Sequence, residues 1–159
     1  MQNTSNRNMT RLEELHQLAY DNSIPIDTSC PADIISMSVR LPGGLKIIGL
    51  SADEISDGEG TPTSLECLAH ELGHCITDSF YTGYSPLELR AKPERRADAW
   101  AIEKLIPYEA LCAAVSSGCR EVWELSEHFG VSGGFILKTV EYYKSKNKCV
   151  PEEYSEIFD

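Results

Sequence analysis

From Leu12, apolar residues recur at Leu15, Leu18 and Ala19, the spacing of one helical face. Thr10 and Glu13 form a capping box that opens this helix, which is predicted to run to about Asn22. Two apolar runs follow, residues 34–41 and 45–50, joined by Pro42, Gly43 and Gly44, and together they predict a β-hairpin. The acidic stretch 51–62, SADEISDGEGTP, reads as a loop and as the one candidate hinge. Thr63 and Glu66 then form a second capping box, starting a helix to about Asp78 with Leu65, Leu68, Ala69, Leu72 and Ile76 on its apolar stripe.

Pro93 suits the first position of a helix ending near Ile106, and Pro107 opens a shorter one closed by Gly118. Val122, Leu125 and Phe129 space a helix ending at Gly130. Ser132 caps a last one carrying Phe135, Leu137, Val140 and Tyr143, and the tail from Lys144 is polar. Early strands and late helices predict an α+β fold with a small antiparallel sheet. The 159 residues fit a single domain over 1–159, with 120–145 as a helical C-terminal subregion.

Charge narrows the function. Lys and Arg number 14 against 25 Asp and Glu, a formal net charge of −11. Nonspecific nucleic-acid binding needs clustered cations, so no direct nucleic-acid partner is expected, whereas a basic protein partner is compatible. The first residues hold no apolar signal core and no run is long enough to span a bilayer. The expectation is therefore a cytoplasmic protein without a membrane partner. In that compartment Cys30, Cys67, Cys75, Cys112, Cys119 and Cys149 are expected to be reduced thiols, and the absence of CxxC removes thiolate zinc fingers.

The chemistry concentrates in His70-Glu71-Leu72-Gly73-His74. Spacing of four puts both imidazoles on one side of a helix, where they can bind Zn²⁺ at about 2.0 to 2.1 Å, with Glu71 placed beside a water on the metal. Alone, this HExxH pattern also fits a solvated helix face with two unrelated histidines. Glu94, 20 residues after His74, supplies the third ligand a catalytic zinc site requires, expected in the first turn of the next helix. One turn later Asp98 can accept the free ring N–H of a ligand histidine. Such a centre lowers the pKa of its water toward about 7, and Glu71 takes the proton as hydroxide attacks a peptide carbonyl. Tyr81 and Tyr84, on the loop leaving the metal helix, are candidate donors to the oxyanion.

The runs CLAHELGHC (67–75) and PERRADAWAIEKLIP (93–107) resemble the ImmA/IrrE family of zinc metallopeptidases from bacteria and mobile elements. The resemblance extends from the Leu12 helix to the segment WELSEHFGVS (123–132). It implies a zincin-like metallopeptidase domain with one Zn²⁺ per chain, His70, His74 and Glu94 as ligands, and Glu71 as catalytic base. It also implies cleavage of a DNA-binding, helix-turn-helix repressor of a mobile element or stress regulon. One departure is Asp98, where the family often carries Asn.

A second function class is a zinc-stabilised, non-catalytic regulatory or protein-binding module, against which the intact Glu71 argues. Substrate is expected to add as an extended strand along an outer hairpin strand at 45–50. His16 and His128 lie outside any ligand spacing, and Cys67 and Cys75 are expected to pack. The run Arg90, Lys92, Arg95 and Arg96 reads as a solvated helix entrance. Residues 122–143 could form a helix-turn-helix, but Glu124, Glu127 and Glu141 offset Lys138, Lys144 and Lys146, so no DNA-reading face results.

Overall fold

The computed structural model describes residues 9–30, 36–51, 62–82 and 84–148. Helix α1 (Arg11–Asp21) opens on the complete capping box: Glu13 N–H donates to Thr10 Oγ1 at 3.2 Å and Thr10 N–H to Glu13 Oε2 at 2.8 Å. It buries Leu15 and Ala19, while the Arg11 guanidinium donates to the carbonyls of Leu105 and Phe129, at the ends of two later helices.

Three strands follow, β1 (Ile26–Cys30), β2 (Ser36–Arg40) and β3 (Lys46–Ser51). The hairpin is β2–β3, antiparallel with Ser38 opposite Ile48. Its turn is closed by Gly44 N–H on the Leu41 carbonyl at 3.0 Å, and Gly43 takes the φ of +92° that a residue following proline at a type II corner needs. The sheet is not purely antiparallel, however: β1 pairs parallel to β3, giving the order β1-β3-β2. β1 has a polar sequence, IDTSC, without apolar alternation, which hid it from a hydrophobicity reading. Its presence makes β3 the central strand, so residues 45–50 are not the outer edge expected to receive substrate.

Helix α2 (Pro62–Thr77) carries the HExxH segment. Thr63 falls inside this helix and does not cap it. The Glu66 carboxylate reaches across the fold, accepting from the Ser132 backbone N–H and, at 3.0 Å, from Ser132 Oγ. Helix α3 (Leu87–Leu105) begins six residues before the expected start. LELRAK is a run of good helix formers, and Pro93 within it gives up one helical hydrogen bond without ending the helix. Glu94 consequently sits two turns into α3, not in its first turn.

The remaining helices are α4 (Tyr108–Ser116), α5 (Val122–Phe129) and α6 (Gly133–Ser145). Gly130 ends α5 at φ +60°, and Ser132 caps α6 by accepting from Phe135 N–H at 3.1 Å. α6 buries Ile136 more fully than Leu137 and continues past Lys144. One cluster of buried residues draws on all six helices and β3, including Ile48, Leu68, Leu72, Ile102, Leu125 and Ile136. Each such side chain contributes about 2 kcal/mol of transfer free energy. The expected hinge loop and Cys149 lie outside the described residues, and Cys30, Cys67, Cys75, Cys112 and Cys119 are free thiols. No described helix is long and apolar enough to cross a membrane.

Candidate active site

α2 and α3 meet backbone to backbone. A Cβ on Gly73 would lie 2.6 Å from the Ala97 carbonyl oxygen and 2.9 Å from its Cα, so only glycine fits this crossing. The close approach presents Glu94 to both histidines. His70 Nε2 lies 3.2 Å from Glu94 Oε2, His74 Nε2 3.4 Å from Glu94 Oε1, and the two Nε2 atoms are 3.1 Å apart. One ligand atom from each residue falls within 4.8 Å of the others, a group that could hold a metal ion.

The outer ring nitrogens are already engaged. His74 Nδ1 donates to the Ser79 carbonyl at 2.6 Å, and a carbonyl can only accept, so His74 Nδ1 carries the proton. Asp78, at φ +52°, turns that carbonyl back toward the helix, and Arg40 and Lys46 of the hairpin hold its carboxylate at 2.8 and 3.1 Å. His70 Nδ1 lies 2.9 Å from Asp98 Oδ1, which also accepts from Lys138 Nζ at 2.7 Å. Burial acts to raise the Asp98 pKa, but the bonds from His70 and Lys138 prevail and hold it below the usual carboxylate value.

With both Nδ1 atoms donating, neutral imidazoles turn two Nε2 lone pairs toward each other and toward a carboxylate. In that neutral form no donor exists among these three groups, and a positive charge, a metal ion or a proton on Nε2, relieves the repulsion. The surrounding carboxylates favour positive charge at this point: burial acts to lower the His70 pKa, yet Asp98, Glu71 and Glu94 together leave it above the ordinary histidine value. The donor set therefore fits a divalent metal ion, for which imidazole and carboxylate are ordinary ligands.

These groups open onto a cavity of about 440 Å³ walled by β2 on one side and by Phe80 and Tyr81 on another. Glu71 is 6% exposed and accepts from Ser36 Oγ at 2.9 Å. The Tyr81 hydroxyl donates to Glu94; that bond, with burial, pushes its pKa up to about 12 and keeps it a neutral donor. Tyr84 is 99% exposed and does not line the cavity, so of the two tyrosines only Tyr81 is at the site. Cys75 is buried with its thiol pushed up to about 12 by burial and by the charge of Glu71, which leaves it protonated, and it does not line the cavity of the histidines. Three participants escaped sequence reasoning: Ser36, the Ser79 carbonyl and Lys138. None lies at a fixed helical spacing from the histidines.

The model of the IrrE N-terminal-like domain, the peptidase M78 family, matches residues 56–141, more than half of the chain. The chain belongs to the IrrE N-terminal-like family. No curated protein and no solved structure gives a significant match. In this IrrE-like domain the matched segment contains α2 and α3 entire, hence His70, Glu71, His74, Glu94 and Asp98, while Ser36 lies upstream of it. The family's peptidase character and a histidine–carboxylate triad suited to a metal converge on one cavity.

Proposed function

We propose that the protein is a zinc-dependent endopeptidase acting on a protein substrate, a basic helix-turn-helix repressor of a mobile element or stress regulon being the target class. The observation that carries the reading is the convergence of His70 Nε2, His74 Nε2 and a Glu94 oxygen beside the buried Glu71 carboxylate. These three residues would hold the ion as a His₂Glu set with a position left open. When bound, the ion supplies a Lewis acid that polarises a carbonyl and makes water nucleophilic near neutral pH.

Glu71 is the proposed general base. Ser36 fixes its Oε1, leaving Oε2 to take a proton from the attacking water and return it to the leaving amine. Tyr81 is the proposed donor to the developing oxyanion. Asp98 and the Ser79 carbonyl hold the ligand histidines in the Nδ1–H tautomer, which leaves Nε2 free to ligate.

β2 is the proposed substrate edge. Ile48 N–H donates to Pro25 on the β1 side at 3.0 Å, so its neighbours Ile47 and Gly49 face β2, opposite Val39 and Met37. Ser36 and Ser38 then direct their backbone groups away from β3, on the side of the cavity they line. An extended peptide added there would pass its carbonyls beside the histidines. The charge of −11 supports a basic partner. The test is incubation of the full chain with basic helix-turn-helix repressors from the same genome, before and after stripping of metal by a chelator. The reading predicts a defined cleavage that the chelator abolishes and zinc restores; cleavage undiminished by metal removal contradicts it.

A further inference from the structure

Between α3 and α6 lies a second groove, of about 570 Å³, that shares no lining residue with the cavity of the candidate active site, although Asp98 and Lys138, which stand behind His70, line it. Its apolar floor is Ala99 and the ring of Tyr142, with Lys146 Nζ 5.5 Å from the ring centroid. Its rim carries Lys92, Arg95 and Arg96 from α3 and Lys138 and Lys146 from α6, five of the chain's 14 Lys and Arg. Among the described residues only Lys138 of these five is paired with a carboxylate, Asp98, and the other acid of the groove is Glu141. A protein of net charge −11 thus keeps a concentrated and largely unpaired cationic surface over an apolar floor.

Residues 150–159 read VPEEYSEIFD. They alternate carboxylates (Glu152, Glu153, Glu156, Asp159) with apolar groups (Val150, Tyr154, Ile157, Phe158), the complement of a cationic rim over an apolar floor. They follow α6, which forms one wall of the groove and contributes Lys146 just beyond its last turn. Ten residues reach up to about 33 Å when extended. The groove-lining part of α3, from Lys92 to Ile102, is about 15 Å long by helical rise. The tether also gives the segment an effective concentration on the order of millimolar.

We propose that this groove is the docking site of the chain's own acidic segment 150–159, held by Arg95, Arg96 and the three lysines with its apolar side chains on Ala99 and Tyr142. The inference does not require the peptidase reading: it uses a different cavity and none of His70, Glu71, His74 or Glu94, and meets the candidate site only where Lys138 pairs with Asp98 behind His70.

The test is zero-length carbodiimide coupling of the full chain at low micromolar concentration, with the linked peptides mapped by mass spectrometry in the monomer fraction. Amide links from Glu152, Glu153 or Glu156 to Lys92 or Lys138 are expected. Their yield should fall roughly tenfold in the Arg95→Glu/Arg96→Glu variant, as two lost ion pairs and two new repulsions imply. Both arginines are exposed, so the variant should keep the wild-type circular dichroism. Adding Glu153→Arg to that variant should restore part of the yield through Glu152 and Glu156. Links confined to Lys144, Lys146 and Lys148, links found only in cross-linked dimers, or a yield unchanged by the arginine substitutions would each overturn the proposal.

Discussion

Gly73 and Ala97 touch through their backbones, and this contact sets the distance between the histidines on α2 and Glu94 on α3. A methyl group on Gly73 would sit 2.6 Å from the Ala97 carbonyl oxygen, well inside van der Waals contact. Gly73→Ala should therefore push α3 outward, costing about 1 to 3 kcal/mol as overpacking does. Metal content should fall with it, because Glu94 moves with α3. Urea unfolding and metal analysis of the purified variant check both effects; wild-type stability with full metal would show that the crossing tolerates a side chain.

Asp98 and Lys138 stand behind His70, a proposed metal ligand. Asp98→Ala should weaken metal affinity by about 10- to 100-fold, the range typical for losing an outer partner of a ligand histidine. Asp98→Asn, which keeps an acceptor oxygen, should lose less. Competition with a chromogenic chelator measures both, and equal affinities for the three proteins would remove Asp98 from the centre.

Much of this arrangement is legible in the sequence where the determinant is local. Thr10 with Glu13, Ser132 with Phe135 N–H and Gly130 after α5 act within four residues of themselves, and their elements lie where the spacing puts them. His70 and His74 are readable for the same reason: i and i+4 share a helical face whatever the tertiary fold. The misses share the opposite cause. Glu66 has the spacing of a capping box, yet its carboxylate serves Ser132, 66 residues away. β1 exists because β3 offers it a parallel edge, which its own polar residues do not announce. Ser36 reaches Glu71 only because β2 lies along α2, and no linear pattern records that neighbour.

Ser36→Ala removes the donor that orients Glu71 without touching a metal ligand. Turnover should fall roughly tenfold, the size of one hydrogen bond to a charged group, with metal content unchanged. Ser36→Thr should recover part of the loss. Steady-state kinetics on the repressor or a peptide derived from it separates kcat from KM, and an effect confined to KM would assign Ser36 to substrate binding instead.

Ser38→Pro removes a backbone donor from the side of β2 turned away from β3, leaving the pairs Met37–Gly49 and Val39–Ile47 to hold the hairpin. KM should rise several-fold while Ser38→Ala stays near wild type, about 1 kcal/mol being the usual worth of one such bond. Circular dichroism confirms the fold. Equal KM values for the proline and alanine variants would move the substrate to another wall of the cavity.

The most direct measurement of the central claim is the cleavage rate of Glu71→Gln at verified full zinc occupancy. The amide is nearly isosteric and can still accept from Ser36, so fold and metal should be retained, but it cannot take a proton from water. The account predicts a rate reduced by about 10²- to 10⁴-fold, the contribution of a positioned general base. Cleavage within a few-fold of wild type, with zinc fully bound, would contradict it.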